Sequence, residues 1–163
     1  SGPFLLVPKV SSERRQFIPV GFMEPETIVS DLVFVFPDAT RFHFGILTST
    51  MHMAWMRAVC GRLESRYRYS AGIVYNNFPW PAPSAAQHTA IEQAAQGVLA
   101  ARAMFPESTL ADLYNPLTMP PALTAAHRKL DRAVDAAYGK PGGFPTEAER
   151  VAFLFKLYEA AIA

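Results

Sequence analysis

The chain has 163 residues, half of them apolar, and a formal net charge of +1: the composition of a soluble globular protein that can bury a core as one domain or two small ones. Its one cysteine, Cys60, rules out an internal disulfide and fits a reducing, cytoplasmic compartment, and no apolar run approaches the ~18 residues of a membrane span. Positive charge is local, with eight Lys and Arg against six Asp and Glu in residues 1–83 and seven against eight in residues 84–163, so the basic coat of a non-specific nucleic-acid binder is absent.

The start, Ser-Gly-Pro-Phe-Leu-Leu-Val, lacks a basic n-region and soon meets Pro8, so no signal peptide is expected; the chain reads as a piece of something longer. Residues 4–7 and 17–20 are short runs rich in Phe, Val and Ile that predict strands. Between them Ser11, Ser12, Glu13, Arg14 and Arg15 form a polar turn. Its hydroxyls and paired arginines could reach a phosphate backbone, although as an exposed hairpin loop they need do nothing. Residues 28–36 predict a third strand, interrupted by Asp31 and ended by Pro37-Asp38, and residues 42–47 a fourth. Ser49 or Thr50 then caps a helix whose apolar positions, Met51, Ala54, Trp55, Ala58 and Val59, follow helical spacing and belong to the core. His52 and Arg57 lie off that stripe, and Gly61 stops the helix.

From Arg57 to Arg68 four arginines (Arg57, Arg62, Arg66, Arg68) stand against one acid, Glu64, with aromatic residues interleaved. An extended strand there puts Glu64, Arg66 and Arg68 on one face and Ser65, Tyr67 and Tyr69 on the other. Arg pairs bidentately with guanine and Glu accepts from the cytosine amino group, so such a row can read bases. From charge alone the commoner outcome is a solvated face with ordinary ion pairs. Residues 73–75 predict a fifth short strand, and Asn76-Asn77 turns into the rigid Pro79-Trp80-Pro81-Ala82-Pro83 segment.

Beyond residue 83 alanines dominate and the strand signals stop. Ser84 and Gln87 have capping-box spacing and open a helix over about 86–104, followed by a short turn around 110–114. A helix beginning near Pro120 and Pro121 aligns Leu123, His127, Leu130, Val134 and Tyr138 and stops at Gly139. Thr146 and Glu149 form a second capping box, and the last helix carries Val151, Leu154, Phe155, Tyr158 and Ile162. The expected architecture is α+β: a small mixed or antiparallel-sheet domain with one main helix over residues 1–83, then an all-helical domain over 84–163.

Catalytic constellations are missing. His43, His52, His88 and His127 are scattered without metal-ligand spacing, and there is no Gly-rich phosphate loop or Gly-x-Ser-x-Gly turn. Asn76-Asn77-Phe78-Pro79 lacks the adjacent prolines and closing tyrosine of an amino-methyltransferase Asn-Pro-Pro-Tyr motif.

The segment FGILTSTMHMAWMRAVCGRLESRYRYSAGIVYNNFPWP closely resembles the target-recognition domain of MmeI-like (type IIL) restriction–modification proteins and related DNA adenine methyltransferases. LADLYNPLTMPPALTAAHRKLDRAVDAAYG and FPTEAERVAFLFKLYEA resemble the helical domain that ends those proteins. The resemblance implies a module that recognises double-stranded DNA for an upstream methyltransferase domain, its other partner. S-adenosylmethionine would bind that domain, with no cofactor or metal in this chain, no membrane partner and a monomeric fragment. It places base reading on Glu64, Arg66 and Arg68, on Asp31 in the third strand and on Lys9 near the chain start, which reverses the odds set by charge alone. Ser11, Ser12, Arg14, Arg15, Thr50, His52, Arg57 and Arg62 are the residues expected at the DNA backbone. The alternative is a protein-interaction or structural module whose arginines are paired internally.

Overall fold

In the computed structural model, which describes residues 2–163, β1 (Phe4–Pro8) alternates half-buried and buried side chains, turning Leu5 and Val7 into the core. β3 (Gly21–Met23) and β4 (Val33–Phe36) flank it antiparallel, with Leu5 opposite both Phe22 and Phe36. A second antiparallel sheet has the order β2 (Val10–Ser11), β6 (Arg66–Arg68), β5 (Gly61–Leu63). Lys9 joins the two sheets: its N–H donates to the Leu32 carbonyl at 2.9 Å and its carbonyl accepts from the Tyr69 N–H at 2.8 Å.

Several expected strands take other forms. Residues 42–47 lie in a helix, α1 (Arg41–Leu47), where the Thr40 N–H donates to His43 Nδ1 at 3.0 Å. All of Phe44, Gly45, Ile46 and Leu47 are buried, because α1 presses against two helices of the second half. A Cβ on Gly45 would lie 2.9 Å from Ile91 Cγ2 and 3.2 Å from Ala95 Cβ, so only glycine permits this crossing. Tertiary contact here overrides the strand preference of Phe and Ile. Residues 17–20 are not a strand either. The Ile18 N–H meets Met53 Sδ at 3.4 Å and the Val20 carbonyl accepts from Arg102, so side chains replace a ladder. Only Val33–Phe36 of the third run is extended, while Ile28 stands 97% exposed in the preceding loop. Residues 73–75 fall in one π-helical turn, Ala71–Tyr75, held by Ser70 Oγ accepting from the Ile73 N–H and by the Trp55 indole donating to Val74 O.

α2 (Thr50–Val59) follows α1 and is capped by Ser49, whose hydroxyl oxygen accepts from the His52 N–H. The second half is helical: α3 (Ala85–Ala103), α4 (Leu110–Leu113), α5 (Pro121–Ala137) and α6 (Glu147–Ile162). The Ser84–Gln87 capping box closes in both directions, at 2.9 and 3.2 Å, and Thr146 caps α6 through the Glu149 N–H.

One core cluster runs through both halves, from Leu5 and Phe44 to Leu130 and Leu154. Buried polar groups tie them further. Arg102 on α3 donates to the Val20 carbonyl at 2.7 Å and twice to the Tyr114 hydroxyl, which leaves the tyrosine proton for His127 Nε2, 2.6 Å away. Asp131 on α5 accepts from the Thr50 N–H and hydroxyl, while Asp135 pairs with Arg150 of α6. The packing is continuous across residue 83. No helix among the described residues is long and apolar enough to cross a membrane.

Candidate nucleic-acid interface

β5 and β6 form a hairpin with Leu63 opposite Arg66, so Glu64 and Ser65 are its two turn residues. Glu64 has φ 57°, the left-handed conformation such a tight turn needs. The expected unbroken strand through Glu64 is therefore a hairpin tip. Alternation still holds on β6: Arg66 and Arg68 are exposed while Tyr67 is 8% exposed and turned inward. The backbone reversal sends Glu64 back toward the strand, and its Oε2 accepts from Arg66 Nη2 at 3.0 Å. The two side chains are 79% and 46% exposed, and a pair in that setting holds with little energy, under about 1 kcal/mol. It engages a single N–H of the five that the guanidinium carries. Glu64 and Arg66 thus meet at the exposed tip, and Arg68 faces out farther along the same strand, opposite Gly61.

Lys9 and Asp31 lie away from this tip, toward the Tyr69 end of the second sheet. The β2–β6 register sets Val10 opposite Arg68 and Lys9 beside Tyr69, and the Lys9 ammonium lies 5.0 Å from the Phe34 ring centroid. Lys9 therefore leaves the backbone on the Tyr69–Phe34 side, away from the Arg66–Arg68 face. Asp31 is exposed in the loop whose next residue, Leu32, accepts the Lys9 N–H. The five residues form two neighbouring groups and not one row.

The set expected at the DNA backbone divides on burial. His52 is 1% exposed, its Nε2 2.8 Å from the Tyr69 hydroxyl, and burial lowers its pKa to about 3. Ser11 is 3% exposed beneath the second sheet, on the same face as Tyr67. Thr50 gives both its donors to Asp131, whose carboxyl burial pushes above the usual range against the pull of those same bonds. Arg57 is spent on Glu147 of α6 and on the Gln16 carbonyl, 2.7 Å away. His52 and Ser11 have no open surface, Thr50 has both its donors taken, and Arg57 is held by two partners within the fold. Arg62 stacks over the Tyr67 ring at 4.2 Å, opposite the Arg66 face, and braces the turn through the Ser65 carbonyl.

Ser12, Arg14 and Arg15 remain open. The Ser12 hydroxyl accepts from the Arg14 N–H and the Ser12 carbonyl from the Arg15 N–H, each at 3.2 Å, which fixes the turn. β2 runs antiparallel to β6, so this turn leaves the second sheet at the same end as the Glu64–Ser65 tip. With Asn115, Pro116 and Leu117 of the α4–α5 connection it lines a cleft of about 470 Å³. Sequence reasoning did not anticipate the second wall, since Asn115-Pro116 signals only a loop and lies a hundred residues from Arg15.

The family described as MmeI, target recognition domain, matches residues 1–82, and that described as MmeI, C-terminal domain, matches residues 83–163. DNA methyltransferase A of Bacillus subtilis (strain 168) is 47% identical over 155 residues, covering 95% of this chain and 17% of that protein. The solved structure of the type IIL restriction–modification enzyme MmeI in complex with DNA superposes with a TM-score of 0.95 at 52% identity, covering 99% of this chain and 22% of that one. The chain thus spans about a fifth of the length of these relatives.

Proposed function

The chain belongs to the MmeI family, with the target recognition domain in its first half and the C-terminal domain in its second, and from that premise we propose that it reads the sequence of double-stranded DNA for a larger methyltransferase or restriction–modification enzyme. The observation that carries the reading is the β5–β6 hairpin, where the exposed Glu64 carboxylate of the turn pairs with the exposed Arg66 guanidinium and Arg68 is exposed on the same strand. Arg66 donates to guanine O6 and N7 while Glu64 accepts from the amino group of the paired cytosine, which specifies one C·G pair by about 1–3 kcal/mol. Arg68 extends the donor face along the groove, and Lys9 with Asp31 offers the same chemistry for a second G·C pair. Residues 1–83 do the reading and residues 84–163 brace them through the shared core.

Methyl transfer, base extrusion and any cleavage belong in this proposal to other parts of the parent enzyme. S-adenosylmethionine supplies a methyl group on a sulfonium cation. The cleft beside the 12–15 turn does not fit it: Arg14 and Arg15 line that cleft, and their charge opposes such a cation.

A protein-interaction module would use its arginines in internal pairs, as Arg57 does with Glu147. Arg14, Arg15 and Arg68 form no ion pair among the described residues, which favours an external anion. Binding selection from a randomised duplex pool tests the proposal. Arg66→Ala is expected to relax preference at one position and leave the others, whereas Arg14→Ala weakens binding to every sequence alike. Equal losses on selected and scrambled duplexes for both variants would remove Arg66 from base reading.

A further inference from the structure

Building on the duplex-binding reading above, we infer that the cleft between the 12–15 turn and the 115–117 loop grips the sugar–phosphate backbone of the same duplex, so that the helical half shares directly in DNA binding. Its two walls come from opposite halves of the chain, and both present donors. Arg14 and Arg15 pair with no carboxylate among the described residues, and Glu13, the acid of the turn, pairs with neither. Across the cleft Asn115 is exposed, and its Oδ1 accepts from the Leu117 N–H at 3.0 Å. That bond settles which end of the amide is oxygen, and the NH₂ donates to no described residue. Asp112, the nearest acid in sequence, is turned back to cap α4 through Thr109 and does not compete.

Arginine and asparagine donors are the usual partners of phosphate oxygens, and such contacts set position without reading sequence. Leu117 is 90% exposed at the rim, an apolar side chain placed to lie against deoxyribose. The cleft opens at the end of the second sheet where Glu64 and Arg66 stand, so one duplex can meet both sites. A phosphate held there fixes how far the tip reaches into the groove.

The test uses the 163-residue chain and a fluorescent duplex of about 30 base pairs of random sequence, titrated at about 50 to 200 mM salt. Asn115→Asp keeps the oxygen that Leu117 needs and replaces the donor by an anion. It is expected to weaken binding about tenfold, and Arg15→Ala to lower the salt slope by about one. The double variant should lose less than the product of the single losses, since both groups hold one phosphate. Leu117→Glu, at a site too exposed to affect folding, provides a second variant with the same expected direction. Wild-type affinity in both Asn115→Asp and Leu117→Glu, with Arg66→Ala still altering sequence preference, overturns the cleft and leaves base reading intact. Absence of salt-dependent duplex binding by the wild-type chain overturns both.

Discussion

Thr50 gives its backbone N–H and its hydroxyl to the two carboxylate oxygens of Asp131, at 2.8 and 2.6 Å. The bond pair fastens the first turn of α2, in the recognition half, to the middle of α5, in the helical half. Asp131→Ala leaves two donors without a partner in a mostly buried place. It is expected to lower unfolding stability by about 2 kcal/mol, read as a fall in the urea midpoint at unchanged slope. Because the residue touches no proposed DNA contact, affinity at a temperature where the variant is folded should not change.

Glu64 sits at φ 57°, a conformation that costs a side-chain-bearing residue about 1 kcal/mol relative to glycine. Glu64→Gly removes both that cost and the acceptor proposed for cytosine. The expected outcome is a melting temperature equal to or above that of the parent chain, together with lost discrimination at one base pair. A fall in stability of the kind a core defect gives would mean the carboxylate is there for the fold.

Two buried imidazoles make the chain acid-sensitive. Burial lowers His52 to about 3, and burial aided by the Arg102 charge lowers His127 to about 3, from a usual 6.5. A depressed base stabilises the fold fully above its unfolded pKa and loses that contribution as pH falls from 6.5 toward 3. Each histidine then shifts the folding equilibrium toward the unfolded chain by roughly tenfold per pH unit. Asp131, raised by burial, works in the opposite direction as pH falls, one group against two. Urea midpoints between pH 7 and 4 should therefore decline. His127→Gln, which can still accept from the Tyr114 hydroxyl, should flatten the decline by about one proton.

Helices were legible where local chemistry and periodicity agreed. The Ser84–Gln87 box and the Leu123-His127-Leu130-Val134 stripe each mark an element that the structure forms. Residues 42–47 and 73–75 misled for the same reason: their strand-favouring composition gives way to partners far along the chain, Ile91 and Ala95 over Gly45 in one case and the Trp55 indole on Val74 in the other. At the interface, alternation found Arg66 and Arg68 facing out and Tyr67 facing in. It could not find the turn at Glu64, because Glu-Ser carries none of the glycine or asparagine that signals a tight hairpin. The burial of His52 and the pairing of Thr50 were hidden too: both stand off the apolar stripe of α2, and their partners, Tyr69 and Asp131, come from elsewhere in the chain.

The hydrogen bonds that align β6 with Val10 and Ser11 on one side and with Gly61, Arg62 and Leu63 on the other run between main-chain atoms alone. Nothing in that lattice depends on which functional groups Arg66 and Arg68 carry outward. Substitution of Arg66 or Arg68 therefore leaves the scaffold beneath in place, so the proposed base preference of this hairpin can be altered without having to refold it.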